Sequence, residues 1–173
     1  MKRTVLVFGT ISGVILSVLM FATIPFAERI GYDKAQVIGY TTMVLSFLMV
    51  FFGIRSYREN VGGGSISFGR AFAIGSLIML IGCVFYVVSW EIIYFTILPD
   101  FADKYAKYVV EQAQASGKSA AEVEALRQQV KSFKPLLDNP LTNAAITMLE
   151  PLPVGLLMTL ISSAILRKKT VSA

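Results

Sequence analysis

The stretch AFAIGSLIMLIGCVFYVVSWEIIYFTIL, Ala71–Leu98, carries a single charged side chain, Glu91. A helix rising about 1.5 Å per residue needs roughly 20 such residues to cross a hydrocarbon core about 30 Å thick. Three further runs read the same way: Val5–Phe26, Val37–Ile54 and Ala144–Leu166. The fold class they predict is all-α, an integral membrane four-helix bundle. The chain forms one membrane domain, 1–173, with helices at about 5–26, 37–54, 71–98 and 144–166 and an extramembrane helical insert at about 99–140.

Composition agrees. The chain of 173 residues is 55% hydrophobic and only 16% charged, against about a quarter charged in soluble domains. The net charge of +5 gathers at the ends of the apolar runs instead of forming a basic and aromatic stripe, so no nucleic-acid partner is expected. With no histidine in the sequence, the Ser–His–Asp triad and all His-containing metal sites drop out. No cofactor is expected. Cys83 is the one cysteine, so no intramolecular disulfide can form. The N-terminal run after Lys2 and Arg3 exceeds a usual signal-peptide core and is read as the first spanning helix.

Placing the N-terminus in the cytoplasm leaves Lys2, Arg3, Arg55, Arg58, Arg70, Arg167, Lys168 and Lys169 on the inner side against Glu59 alone. The outer segments hold eight basic residues too, diluted and matched by eight acids. The expectation is a bacterial cytoplasmic-membrane protein with both termini inside.

Gly9 and Gly13, with Ser17 one turn further, form a small-xxx-small face on the first run. Gly75, Gly82 and Ser89 follow one face of the third. Small residues at such spacing let helix backbones approach closely, within the chain or in a homo-oligomer or another membrane-protein complex. Between the third and fourth runs, Phe101, Tyr105, Tyr108 and Val109 recur at helical spacing, and Gly117 is a stop. Ser119-Ala-Ala-Glu122 has the form of a capping box before a second apolar stripe, giving an αα-hairpin. Its apolar faces are expected to pack on each other or on the membrane surface.

Two carboxylates fall inside apolar runs, Glu91 and Glu150. A carboxylate there costs a few kcal/mol and marks a candidate site. Trp90 and Tyr94 flank Glu91, which suits an interfacial belt. Glu150 stands in Thr147-Met-Leu-Glu-Pro151-Leu-Pro153. The two prolines donate nothing to the carbonyls of Thr147 and Leu149, and freed acceptors beside a carboxylate suit a proton or small-cation site. Thr147 and Glu150 are its expected members, with Arg29 or Glu91 as charged partners; a plain proline kink is the alternative. Arg55, Arg58 and Arg70 are candidates for contact with anionic lipid. The Gly62-Gly63-Gly64-Ser65 turn lacks the phosphate-binding pattern and carries no nucleotide site.

Three regions taken together are similar to one family: Phe51–Arg58 running into Gly64–Phe72, Trp90–Tyr94 to Pro99–Phe101, and Glu150–Gly155 before a basic C-terminus. They resemble the bacterial membrane-protein family called domain of unknown function 4199, found chiefly in Bacteroidetes. The resemblance implies four spans and a helical insert before the last, and it carries over no activity or site residue. The first expectation is therefore a non-enzymatic structural or partner-binding membrane component. The second is an oligomeric small transporter or channel using Glu150, and the third a lipid-modifying membrane enzyme.

Overall fold

A computed structural model defines the architecture, and residues 1–168 of it are described. Lys169, counted above with the inner basic residues, lies outside them. Four helices are long and apolar enough to cross a membrane: Lys2–Ile30, Tyr32–Asn60, Phe68–Ile97 and Pro140–Leu166. The first comprises α1 (Lys2–Thr23), a 3-10 turn at Ile24–Phe26 and the short α2 (Ala27–Ile30). Pro25 sits at the start of that turn, where a missing N–H ends the α1 ladder. The second is α3 (Tyr32–Asn60), and the third is α4 (Phe68–Ile92) extended by a π-helical turn at Ile93–Ile97. The hairpin that precedes the fourth of these helices is α5 (Phe101–Ala115) and α6 (Ala120–Asp138). The fourth helix is broken into α7 (Pro140–Leu149) and α8 (Pro151–Leu166).

Boundaries extend beyond the apolar runs because helix formation does not stop where hydrophobicity does. The fourth helix begins at Pro140, not Ala144. The Asn139 side chain accepts from the N–H groups of Leu141 (3.0 Å) and Thr142 (3.4 Å), and proline at the first helical position has no N–H to satisfy.

The bundle is not a simple ring in chain order. α1 packs on α3 and α4, α8 packs on the same two, and α1 and α8 stand at opposite corners. The glycines set the register. A Cβ on Gly9 would meet Ile81, one on Gly13 would meet Phe85, and the Ser89 hydroxyl donates to Ser17 Oγ at 2.7 Å, so α1 and α4 run parallel. Gly75 abuts Thr159 of α8 and Val50 and Ile54 of α3, while Gly82 abuts Phe47 and Ser12. Gly9, Gly13, Gly75 and Gly82 thus do their packing inside the chain. Gly53 and Gly155 serve likewise against Ile78 and Met79.

The centre is filled. Phe47, Val50, Ile54, Ile74, Ile78 and Cys83 have no exposed surface. Two buried hydroxyls are tied to backbone, Ser12 Oγ donating to the Ser46 carbonyl at 3.0 Å and Thr159 Oγ1 to the Gly155 carbonyl at 2.8 Å, which removes the cost of an unpaired polar group.

The hairpin turns at Gly117, whose φ of +76° favours glycine. The Ser119–Glu122 capping box then starts α6, with Ser119 N–H donating to Glu122 Oε2 at 2.8 Å. At the opposite, basic end of the bundle, Ile66 and Lys168 form a two-way backbone bridge. There Arg58 Nη1 donates to the Leu166 carbonyl at 3.2 Å, a cation at a helix C-terminus.

Candidate functional site

The end of the bundle beneath the hairpin is joined by polar side chains. Tyr86, Trp90 and Tyr94 recur every four residues and so share one face of their helix. The Tyr86 hydroxyl donates to Glu150 Oε2 at 2.6 Å, and Trp90 Nε1 donates to Asn143 Oδ1 at 2.9 Å. The Tyr94 hydroxyl reaches Asp138 Oδ1 at 3.4 Å. The partners descend in sequence as the donors ascend, which fixes the antiparallel register of α4 against α7 and the end of α6.

The helix break supplies Glu150. Pro151 cannot donate to the Thr147 carbonyl, and the Glu150 N–H takes its place at 3.2 Å, a tighter turn of 3-10 type. Pro153 sits in the first turn of α8, where its missing N–H costs little. Thr147 does not join Glu150, contrary to expectation. Its hydroxyl donates to Asn143 Oδ1 at 3.1 Å. Asn143 is fully buried, and its amide donates to the Leu137 carbonyl at 2.8 Å. That asparagine knots α4, α6 and α7 together.

Arg29 and Glu91 do not pair with Glu150 either. Among the described residues no ion pair includes Arg29, Glu91 or Glu150. Glu150 has Tyr86 instead. Glu91 is half-buried, with Oε1 covered and unpartnered. Sequence position put these groups at similar depth but could not put them on facing sides of the helices.

Glu150 lies on the wall of a cavity of about 270 Å³ under the hairpin. Asp33 and Gln36 from α3 share the wall, together with Tyr32, Tyr86, Trp90, Phe101, Tyr105 and Tyr108. Among the described residues no lysine or arginine lines it. Tyr32 is the hub of the rings, with centroids 4.8 Å from Tyr108, 5.5 Å from Tyr105 and 6.1 Å from Phe101. Phe101 also meets Trp90 edge-on at 5.1 Å, the geometry that ring quadrupoles favour. The Asp33 carboxylate, an acceptor for the neutral Tyr108 hydroxyl, holds that phenol above its usual value, because hydrogen bonding to the neutral form disfavours its ionisation. Lys104, the cation nearest this end of α5, is held by Asp100 at 3.0 Å and Glu28 at 3.2 Å. Those two acids raise its pKa above 10.5.

A larger groove of about 770 Å³ lies between α5 and α6, lined by Val109 and Val110 of the first and Leu126 and Val130 of the second. Trp90 and Tyr94 close its base. Lys134 spans from α6 to Asp103 of α5 at 2.6 Å, and Asp103 raises that ammonium's pKa. The lipid candidates divide. Arg58 caps α8 as described, Arg55 pairs with Glu59 at 3.0 Å, and Arg70 is exposed.

Tyr86, Asn143 and Asp33 were missed from sequence. The signal was the four-residue spacing of Tyr86, Trp90 and Tyr94 facing that of Asn143 and Thr147. No spacing rule reaches Asp33, which is brought in by the packing of α3.

No curated protein and no solved structure matches the chain. The family model for DUF4199, a protein of unknown function, matches residues 7–168. With nearly the whole sequence so matched, the chain belongs to the DUF4199 family.

Proposed function

We propose that this chain is a non-enzymatic, multi-pass protein of the bacterial inner membrane, both termini cytoplasmic, that binds a cationic ligand or partner group in the cavity beneath its outer hairpin. The observation that carries the reading is the wall itself: Asp33 and Glu150 without a single basic side chain among the lining residues. Two carboxylates on one cavity wall attract positive charge, with no basic side chain among the lining residues to cancel them. The inner-side excess of Lys and Arg supports the orientation.

Binding comes before transport in this account. A conduit would use the same Glu150 and the same helix break, but Met43, Phe47, Met79 and Cys83 fill the centre of the bundle. Those buried side chains occupy the interior of the single chain, so passage would need an assembly.

Trp90 is the one tryptophan in the sequence and lines the cavity, so its emission reports occupancy. Potassium, calcium and tetramethylammonium chlorides are titrated into the protein in maltoside micelles. The expected result is a saturable emission change with at least one of them, lost in the Asp33→Asn/Glu150→Gln double variant. No saturable response to any cation overturns the reading.

A further inference from the structure

We propose that the cavity takes an organic ammonium ion fully alkylated at nitrogen, a quaternary ammonium group, in place of a bare metal ion. The proposal rests on the cation-binding reading above and adds the ligand class. Six aromatic side chains line the cavity: Tyr32, Tyr86, Trp90, Phe101, Tyr105 and Tyr108. They come from α3, α4 and α5; edge-to-face and tilted packing positions five of them, and the bond to Glu150 positions Tyr86. Ring faces attract cations whose charge is spread over methyl groups, and such ions lose little hydration on transfer to an aromatic wall.

Metal ions make the opposite demand. A hard cation such as calcium needs six to eight oxygen ligands at about 2.3–2.6 Å. Among the described residues no three His, Cys, Asp or Glu side chains gather as a metal group. A cavity of about 270 Å³ is also too roomy for its two acids, carried on separate helices, to grip a bare ion. In an alkylated ammonium ion the methyls meet the rings, and Asp33 and Glu150 balance the charge at longer range.

The chemistry is that of a free quaternary amine or of a choline headgroup on a lipid. Calorimetric titration in maltoside micelles uses tetramethylammonium, choline, potassium, calcium and 3,3-dimethyl-1-butanol, the neutral isostere of choline. Choline is expected to saturate a single site at least tenfold more tightly than the isostere and than either metal ion. Tyr105→Leu is expected to weaken choline at least tenfold, and Tyr105→Phe, which keeps the ring, to leave it within about threefold; retained helical content in both shows that the site and not the fold was altered. Dihexanoylphosphatidylcholine below its micellar concentration competes with choline if the source is a lipid headgroup and fails to compete if it is a free amine. Saturable potassium or calcium without choline overturns the ammonium assignment and leaves the cation reading standing. Equal binding of choline and its neutral isostere, or no binding of any probe, overturns both.

Discussion

The Tyr86 hydroxyl donates to Glu150 Oε2 at 2.6 Å across the boundary between the third and fourth spanning-length helices. This bond keeps the carboxylate at the cavity wall when the helix beneath it is broken by Pro151. Interhelical hydrogen bonds in bilayers average only about 0.6 kcal/mol, up to roughly 1.7. Tyr86→Phe should therefore lower stability by about 1 kcal/mol, and a double-mutant cycle with Glu150→Gln should show coupling of that size. Additive losses would mean that the pair does not form.

Asn143 has more depending on it. Its side chain accepts from Trp90 and Thr147 and donates to the Leu137 carbonyl. Asn143→Ala leaves three polar groups without their partner and should cost about 2 kcal/mol or more. Thr147→Val removes one arm and should cost under about 1 kcal/mol. Thermal unfolding in one detergent compares the two, and equal losses would contradict the knot.

Gly13 is a contact within the chain. A valine there would drive its side chain into Phe85, so Gly13→Val should destabilise the single chain by about 1–3 kcal/mol. Gly69 faces open space, and Gly69→Ala should stabilise by about 0.5 kcal/mol. If Gly13→Val changes the mass of the solubilised particle and leaves its unfolding temperature alone, the glycine face is an intermolecular one.

Lys104 pairs with Asp100 at the start of its own helix and with Glu28 of α2, which gives the first turn of α5 a defined pH window. Lys104 lowers the Asp100 pKa below 3.8, so that contribution is present above 3.8 and fades as pH falls through the depressed value. The Lys104 pKa is raised above 10.5, so its contribution is present below 10.5 and fades as pH rises through the raised value. Both groups are exposed, so the effects are small. Helical circular dichroism should stay constant from about pH 5 to 10 and fall slightly below about pH 3.8. Lys104→Ala should remove the acid step, and an acid step that survives it would point to other carboxylates.

Much of this was legible in the sequence, for definite reasons. Membrane-length helices announce themselves by apolar runs, the capping box by Ser119 and Glu122, and the close helix approaches by Gly9, Gly13, Gly75 and Gly82. The pairings were not legible. Nothing in the one-dimensional pattern places α1 and α8 at opposite corners, and that arrangement decides which residues can meet. Glu150 was singled out by its prolines, yet its partner is a tyrosine 64 positions earlier. Arg29 and Glu91 were credible partners by depth alone, and depth says nothing of angle around a helix axis. Asp33 falls before the second apolar run, and its value lies in what α3 packs beside it.

The most direct test of the outer, cation-attracting cavity uses Gln36, an exposed residue on its wall. Gln36→Cys is placed in a Cys83→Ala background and reconstituted in vesicles of known orientation. Membrane-impermeant cationic and anionic methanethiosulfonates are added outside, each rate normalised to that on a small free thiol. Modification is expected from the outer side, at least tenfold faster with the cationic reagent, with the preference falling toward unity in Asp33→Asn/Glu150→Gln. No reaction from outside, or equal normalised rates in the parent, would contradict an outer, cation-attracting cavity.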